Sequence, residues 1–168
     1  MLIIALQLVR LLGFSQIIAT ASTKHEALVK KYGATHVIDR TQPIDAQVEQ
    51  IRYIAPSLDA AVNAVGVKET DAVIAKSLVS GGRFISVLDV DKGVLAENPN
   101  VSGKMIIGIP SMHPESGNKV GIHLTDALET GKLLPFPYKV YGGLESIAEA
   151  LQAVKKASGY KVLIHAQE

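Results

Sequence analysis

The sequence predicts an α/β fold: a parallel sheet flanked by helices. Short, β-rich apolar runs alternate with amphipathic ones along the first two thirds of the chain. The connections between them are short and punctuated by glycine. With 168 residues, 48% of them hydrophobic and 20% charged, the chain can bury a core of one ordinary domain or slightly more.

The elements follow in order. Residues 2–12 read as a helix stopped at Gly13, with Gln7 and Arg10 on its one wet face and Leu6, Val9 and Leu12 elsewhere. Residues 16–20 (QIIAT) form an uninterrupted strand of the kind buried on both faces. Thr23 with Glu26 fits a capping box, opening a helix that runs to Tyr32 before Gly33. Residues 35–39 (THVID) are the next strand, and Pro43 opens a polar helical segment to Ala55. Residues 58–65 (LDAAVNAV) are a third strand ended by Gly66, followed by a helix from Glu69 to Val79 that stops at Gly81 and Gly82. Residues 83–88 are a fourth strand. Residues 105–109, from Met105 to Ile109, are a fifth, bounded by Pro110.

Beyond Pro110 the texture changes. Residues 116–130 read as a long helix, and Pro135 and Pro137 force 131–141 to be extended. Leu144, Ile147, Leu151 and Val154 recur at helical spacing over 144–156, and 160–165 alternate like a strand. The expected division is 1–130 for the sheet domain and 131–168 for a C-terminal segment.

Composition excludes several classes of function. Seventeen Lys and Arg against sixteen Asp and Glu leave a net charge of +1 and no basic stripe, so no nucleic-acid partner is expected. The absence of cysteine removes disulfides, thiolate nucleophiles, iron–sulfur clusters and Cys-based zinc sites. Histidines 25, 36, 113, 123 and 165 lack metal-ligand spacing, so no metal site is expected. No serine sits in a G-x-S-x-G elbow, no Tyr precedes a Lys by four residues, and neither G-x-G-x-x-G nor a P-loop occurs. Asp89 and Asp91 read as a solvated turn more readily than as an acid–base pair. No apolar run spans a membrane. A cytoplasmic location is expected. Ala19-Thr20-Ala21 would suit signal-peptidase cleavage and hence secretion, but no basic residue precedes the apolar run and Arg10 interrupts it.

Three blocks carry a resemblance: QLVRLLGFSQIIATASTKHEALVKKYGATHVIDR, DAAVNAVG with GGRFISV, and TGKLLPFPYKVYGGLESIAEALQAVKKASGYKVLIHA. Together they resemble the coenzyme domain of medium-chain dehydrogenases/reductases, in the zinc-free, quinone-oxidoreductase-like branch that includes fungal trans-acting enoyl reductases. The resemblance implies a Rossmann-like sheet with a C-terminal helix–strand remnant. It also implies NADPH-dependent hydride transfer to a quinone, enone or enoyl substrate. Two of the family's parts have no counterpart here: the N-terminal catalytic domain, and the central first strand with its Gly-rich turn. The expectation is therefore a protein incomplete as an enzyme on its own, with two unpaired strand edges inside the sheet. No catalytic residue is assigned.

Ligands of such folds lie at the carboxyl ends of the strands. There the second family strand offers Ser22 and Lys24 in place of the carboxylate that receives a ribose 2′-hydroxyl, and Arg40 adds a second cation. By resemblance these three select NADPH. By residue type alone, Ser22 is a helix cap and Lys24 and Arg40 are surface charges. Val65 and Gly66 resemble the segment near the nicotinamide ribose, Gly66 reading equally as a turn glycine. Val87 and Leu88 would line the same crevice or simply belong to the core. The expected cofactor is NADPH, bound weakly or lost without the pyrophosphate loop. The expected partner is a second copy, joined through the Met105 to Ile109 edge strand or by strand exchange. The alternative function is a non-catalytic, dimeric interaction or regulatory protein that keeps the fold.

Overall fold

The computed structural model describes residues 2–108, 114–155 and 159–166. Helix α1 (Leu2–Leu11) ends at Gly13, whose φ of 89° lets the chain turn back. Strand β1 (Ile18–Ala21) follows, then a 3₁₀ turn (Thr23–His25) and helix α2 (Glu26–Lys31). Strand β2 (His36–Asp39), helix α3 (Ile44–Ile54), strand β3 (Ala60–Asn63), helix α4 (Lys68–Ser77) and strand β4 (Arg83–Ser86) complete the expected alternation. Helix α5 (Lys92–Glu97) then leads to β5 (Ser102–Met105). Helix α6 (Pro114–Glu129), strand β6 (Tyr138–Tyr141), a 3₁₀ turn (Leu144–Ser146), helix α7 (Ile147–Lys155) and strand β7 (Lys161–Ile164) close the chain.

All strand pairs are parallel. They form three groups: β1–β2, β3–β4–β5 and β6–β7. The last pair gives the C-terminal strand the partner that the sequence left unspecified.

The first two groups share a floor. Ile38 of β2, Val48 and Ile51 of α3 and Val73 of α4 form one buried cluster, with Ile18, Ile44, Ile54 and Leu58 against it. Side-chain amides fix the direction of the strands around that floor. Gln16 Nε2 donates to the Ile54 carbonyl at 3.0 Å, so β1 begins where α3 ends and the chain enters β3. Gln47 Nε2 donates to the Arg40 carbonyl at 3.3 Å, so α3 begins where β2 ends. Strands β1, β2 and β3 therefore point the same way.

Several expectations need correction. Gln7 is buried, not on a wet face: its amide donates to the Leu134 carbonyl at 3.2 Å and accepts the Leu134 N–H at 2.7 Å. The C-terminal segment thus docks on α1 through one glutamine. No capping box forms at Thr23 and Glu26, because a 3₁₀ turn intervenes and neither Ser22 nor His25 caps with its side chain. Strands β3 and β4 are not buried on both faces. Ala61, Phe84 and Gly103 lie in register toward α4 and α5, whereas Val62 and Ile85 are 39% and 41% exposed on the opposite face.

The fifth strand is displaced from 105–109 to Ser102–Met105. Gly103 allows close packing there: a Cβ would lie 2.5 Å from the Phe84 ring. The ladder continues only to Ile106, whose N–H donates to the Ser86 carbonyl at 2.9 Å, and Ile109 lies outside the described residues. Helix α5 has a signal of its own, since Asp91 accepts the Val94 N–H at 3.0 Å as a side-chain cap.

Ile51 sits 5% exposed in the shared floor. The substitution Ile51→Ala should cost about 2–4 kcal/mol of unfolding free energy by leaving a cavity there. Urea denaturation checks this, and a cost near zero would mean that the two strand groups do not depend on that floor.

Candidate functional site

A cleft of about 1720 Å³ runs between β1 and β3. That exceeds the roughly 300–1,000 Å³ of an ordinary ligand pocket. The excess arises because the cleft includes the whole length of both strands, from Ile18 to Ala21 and from Ala60 to Asn63. Its upper end lies at the carboxyl ends of the strands and is lined by Ser22, His25, Arg40, Thr41, Ala64 and Val65. Between β1 and β3 the order of connection reverses: the chain runs outward from β1 to β2, then crosses through α3 to β3. Open α/β sheets bind ligands at that kind of switch point.

The first half of the site stands on β1 and β2. The Arg40 N–H donates to the Ala21 carbonyl at 3.1 Å, which sets the end of β2 beside Ser22. The Ser22 hydroxyl makes no capping bond, and Arg40 is exposed and forms no ion pair among the described residues. The neighbouring carboxylate of Asp39 turns instead to the Thr41 N–H, at 3.0 Å. Lys24 lies in the 3₁₀ turn, exposed, without an ion pair among the described residues, and does not line the cleft.

The second half stands on a buried polar network. Asn63 is 2% exposed and Asp71 1%. The Asn63 amide donates to Asp71 Oδ1 at 2.8 Å and to Thr70 Oγ1 at 2.9 Å. Its oxygen accepts the Val65 and Gly66 N–H groups at 3.1 and 3.0 Å. The second Asp71 oxygen accepts the Asp91 N–H at 2.9 Å. One asparagine thus shapes the loop after β3, and one carboxylate ties it to the loop after β4. Every Asp71 partner named here is a neutral donor, so the buried charge is held by hydrogen bonds, not by an ion pair.

Gly66 has a φ of 75° and packs against Leu88, where a Cβ would sit 2.7 Å from the Leu88 Cβ. Neither Gly66, Val87 nor Leu88 lines the cleft, although Val65 does. The structure therefore gathers Ser22, Arg40 and Val65 around one space and places Lys24, Gly66, Val87 and Leu88 outside its walls. Sequence reasoning passed over Asp71. It reads as an ordinary acid in the first turn of a helix, and only the packing of α4 beneath β3 reveals its role. Asp91 is a cap, which departs from the solvated-turn reading.

Two ionisable groups in the C-terminal segment depart from their ordinary values. The hydrogen bond with Tyr160 raises Tyr141, with burial second. The hydrogen bond with Tyr141 raises Lys139, whose ammonium lies 4.5 Å from that ring.

The fold and the switch-point cleft define a dinucleotide-binding type of α/β domain. The family follows from comparison. Residues 3–100 match the family described as zinc-binding dehydrogenase, and the chain belongs to it, as the C-terminal coenzyme-domain portion of a medium-chain dehydrogenase/reductase. The chain is 29% identical over 171 residues to trans-enoyl reductase RAP1 of Pyricularia oryzae, covering 90% of this chain and 47% of that protein. It is 29% identical over 156 residues to trans-enoyl reductase himH of Aspergillus japonicus, covering 89% and 44%. The chain thus spans about half the length of the curated relatives it matches. Among solved structures, CurK enoyl reductase superposes with a TM-score of 0.76 at 22% identity, over 96% of this chain and 50% of that one. The quinone oxidoreductase of Pseudomonas syringae pv. Tomato DC3000 gives 0.76 at 20%, over 96% and 52%.

The family's name does not extend to a metal site in these residues. The sequence has no cysteine, and no group of three His, Asp or Glu converges among the described residues. No helix among them is long and apolar enough to cross a membrane.

Replacing Asp71 by Ala should cost about 2–4 kcal/mol, since it leaves the Asn63 amide and the Asp91 N–H short of a partner in the interior. The amide resonances of Val65, Gly66 and Asp91 should shift together. Unchanged resonances with unchanged stability would show that the network does not hold the two loops.

Proposed function

We propose that the chain is the coenzyme-binding part of an NADPH-dependent reductase acting on a quinone, enone or enoyl substrate, and that it is incomplete as an enzyme on its own. One observation carries the reading: the free Ser22 hydroxyl and the unpaired Arg40 guanidinium flank the switch-point cleft, with no carboxylate beside them. An adenosine 2′-phosphate fits there, because a dianion gains from a guanidinium and a hydroxyl and is repelled by an acid. Lys24 supplies a second cation from the adjoining turn. Family membership and the reductase names of the relatives support the same assignment.

The residues fit one end of the coenzyme better than the other. Around Ser22 and Arg40 the chemistry suits a phosphate. At the N-terminus of α1 stand Leu2, Ile3 and Ile4, with no glycine cradle for a pyrophosphate. Val65, on the loop that Asn63 shapes, would lie toward the nicotinamide side, with Gly66, Val87 and Leu88 packed behind it. When bound, the coenzyme supplies the hydride, and these residues bind and orient it.

Isothermal titration calorimetry with NADPH and NADH tests the reading. NADPH should bind more tightly than NADH. Arg40→Ala or Ser22→Ala should erode the preference by about tenfold, the equivalent of roughly 1.4 kcal/mol. No heat at millimolar NADPH would overturn it for this chain.

A second reading, a dimeric interaction protein that keeps the fold without catalysis, is favoured by one feature. Met105, Ile106 and Ile107 are 38%, 52% and 45% exposed at the outer edge of the β3–β4–β5 group. An apolar edge strand gains from pairing with a second copy. Sedimentation velocity should show a dimer that Ile106→Lys converts to monomer. A monomeric parent chain would remove this reading.

A further inference from the structure

The cleft between β1 and β3 also carries an inference independent of any coenzyme. Backbone alternation decides which groups face it. The Ile17 carbonyl accepts the Thr35 and His36 N–H groups, and the Ala21 carbonyl accepts the Arg40 N–H. Residues 17, 19 and 21 therefore direct their backbone groups toward β2, and Ile18 and Thr20 direct theirs away from it, toward the cleft. On the other wall, the Asp59 carbonyl accepts the Arg83 N–H and the Asn63 carbonyl accepts the Val87 N–H. Ala60 and Val62 therefore face the cleft as well. β1 and β3 are not hydrogen-bonded to each other, and each has one paired edge only. Two rows of backbone donors and acceptors, on strands that run the same way, thus open into one space.

The walls above and below that space are apolar. Ile44, Ile51 and Val73 lie on the side of α3 and α4, and Ile3, Leu6 and Val9 on the side of α1. A small polar ligand would leave these surfaces uncovered, and a helix would leave both backbone rows unsatisfied. An extended chain meets both requirements, because alternate residues bond to opposite neighbours while side chains point to opposite faces.

We propose that this slot is a strand acceptor. Its occupant is an extended, uncharged, apolar segment of at least four residues, supplied in trans by another polypeptide and inserted parallel to β1 and β3. Four residues is the length of each wall strand. Insertion joins the two strand groups into one continuous sheet of six strands. A polar, charged or proline-interrupted segment is rejected by the walls or lacks the donors.

The full chain and a synthetic peptide, acetyl-KKVVIVVKK-amide, test this by hydrogen exchange. The peptide should slow exchange of the Ile18, Thr20, Ala60 and Val62 amides by about 100-fold or more, while Ala19 and Ala61, already in ladders, change little. The same peptide N-methylated at alternate valines keeps its side chains and loses donors, and it should give no protection. Val62→Pro deletes one slot-facing N–H and leaves the β4 ladder intact, so it should weaken binding by about tenfold. Absence of peptide protection in the unmodified chain overturns the proposal. So does equal protection by the N-methylated peptide. Protection of the four amides in the chain alone, together with a dimeric mass, would give the slot to a second copy and likewise overturn it.

Discussion

The arrangement depends on the apolar face of α3. Strands β1 and β3 share no hydrogen bond, so no ladder joins the β1–β2 pair to the β3–β4–β5 group. What joins them is one layer of side chains: Val48 and Ile51 reach Ile38 on one side and Val73 on the other. Hydrophobic burial is non-directional, and it can hold two sheet fragments side by side without fixing their pairing. The amides of Gln16 and Gln47 add the direction that burial lacks, each tying one end of α3 to a strand terminus. The cleft is the space this arrangement encloses.

The buried polar network takes over where the apolar floor stops. At the upper end of β3 the chain must turn, and its N–H groups must find acceptors away from water. The Asn63 oxygen accepts two of them, and Asp71 holds the Asn63 amide in the orientation that makes this work. Because Asp71 also accepts the Asp91 N–H, the loops after β3 and β4 move as one unit. The two halves of the cleft mouth therefore differ in character. The β1–β2 half presents mobile, exposed groups such as Arg40. The β3–β4 half is a rigid backbone frame with Gly66 and Leu88 packed behind it.

The C-terminal segment obeys the same economy of few, specific ties. Strands β6 and β7 satisfy each other in a parallel pair. Gln7 then pins the segment to α1 by two bonds to one residue, Leu134, imitating the exchange a neighbouring strand would make. Gly159 packs against His25 and Leu28, so the segment also touches α2. A single buried glutamine is an efficient tie, since leaving either of its polar groups unpaired in the interior is costly.

By itself, the sequence determined the order and type of the main elements. The apolar runs at Ile17 to Ala21 and Ala60 to Asn63, the amphipathic spacing from Ile44 to Ile54, and the stops at Gly13, Gly33 and Gly66 are local signals, read over a few residues. The missing central strand and the resulting open edges were legible too, because they concern how many strands there are to pair. Tertiary structure alone decided the rest. The burial of Gln7, the role of Asp71, the register that moves the fifth strand to Ser102–Met105, and the exclusion of Lys24 and Leu88 from the cleft walls all depend on partners distant in sequence. A hydrogen bond or a close contact across the fold leaves no period in the chain. It exists only once α3 has set the two strand groups on one floor.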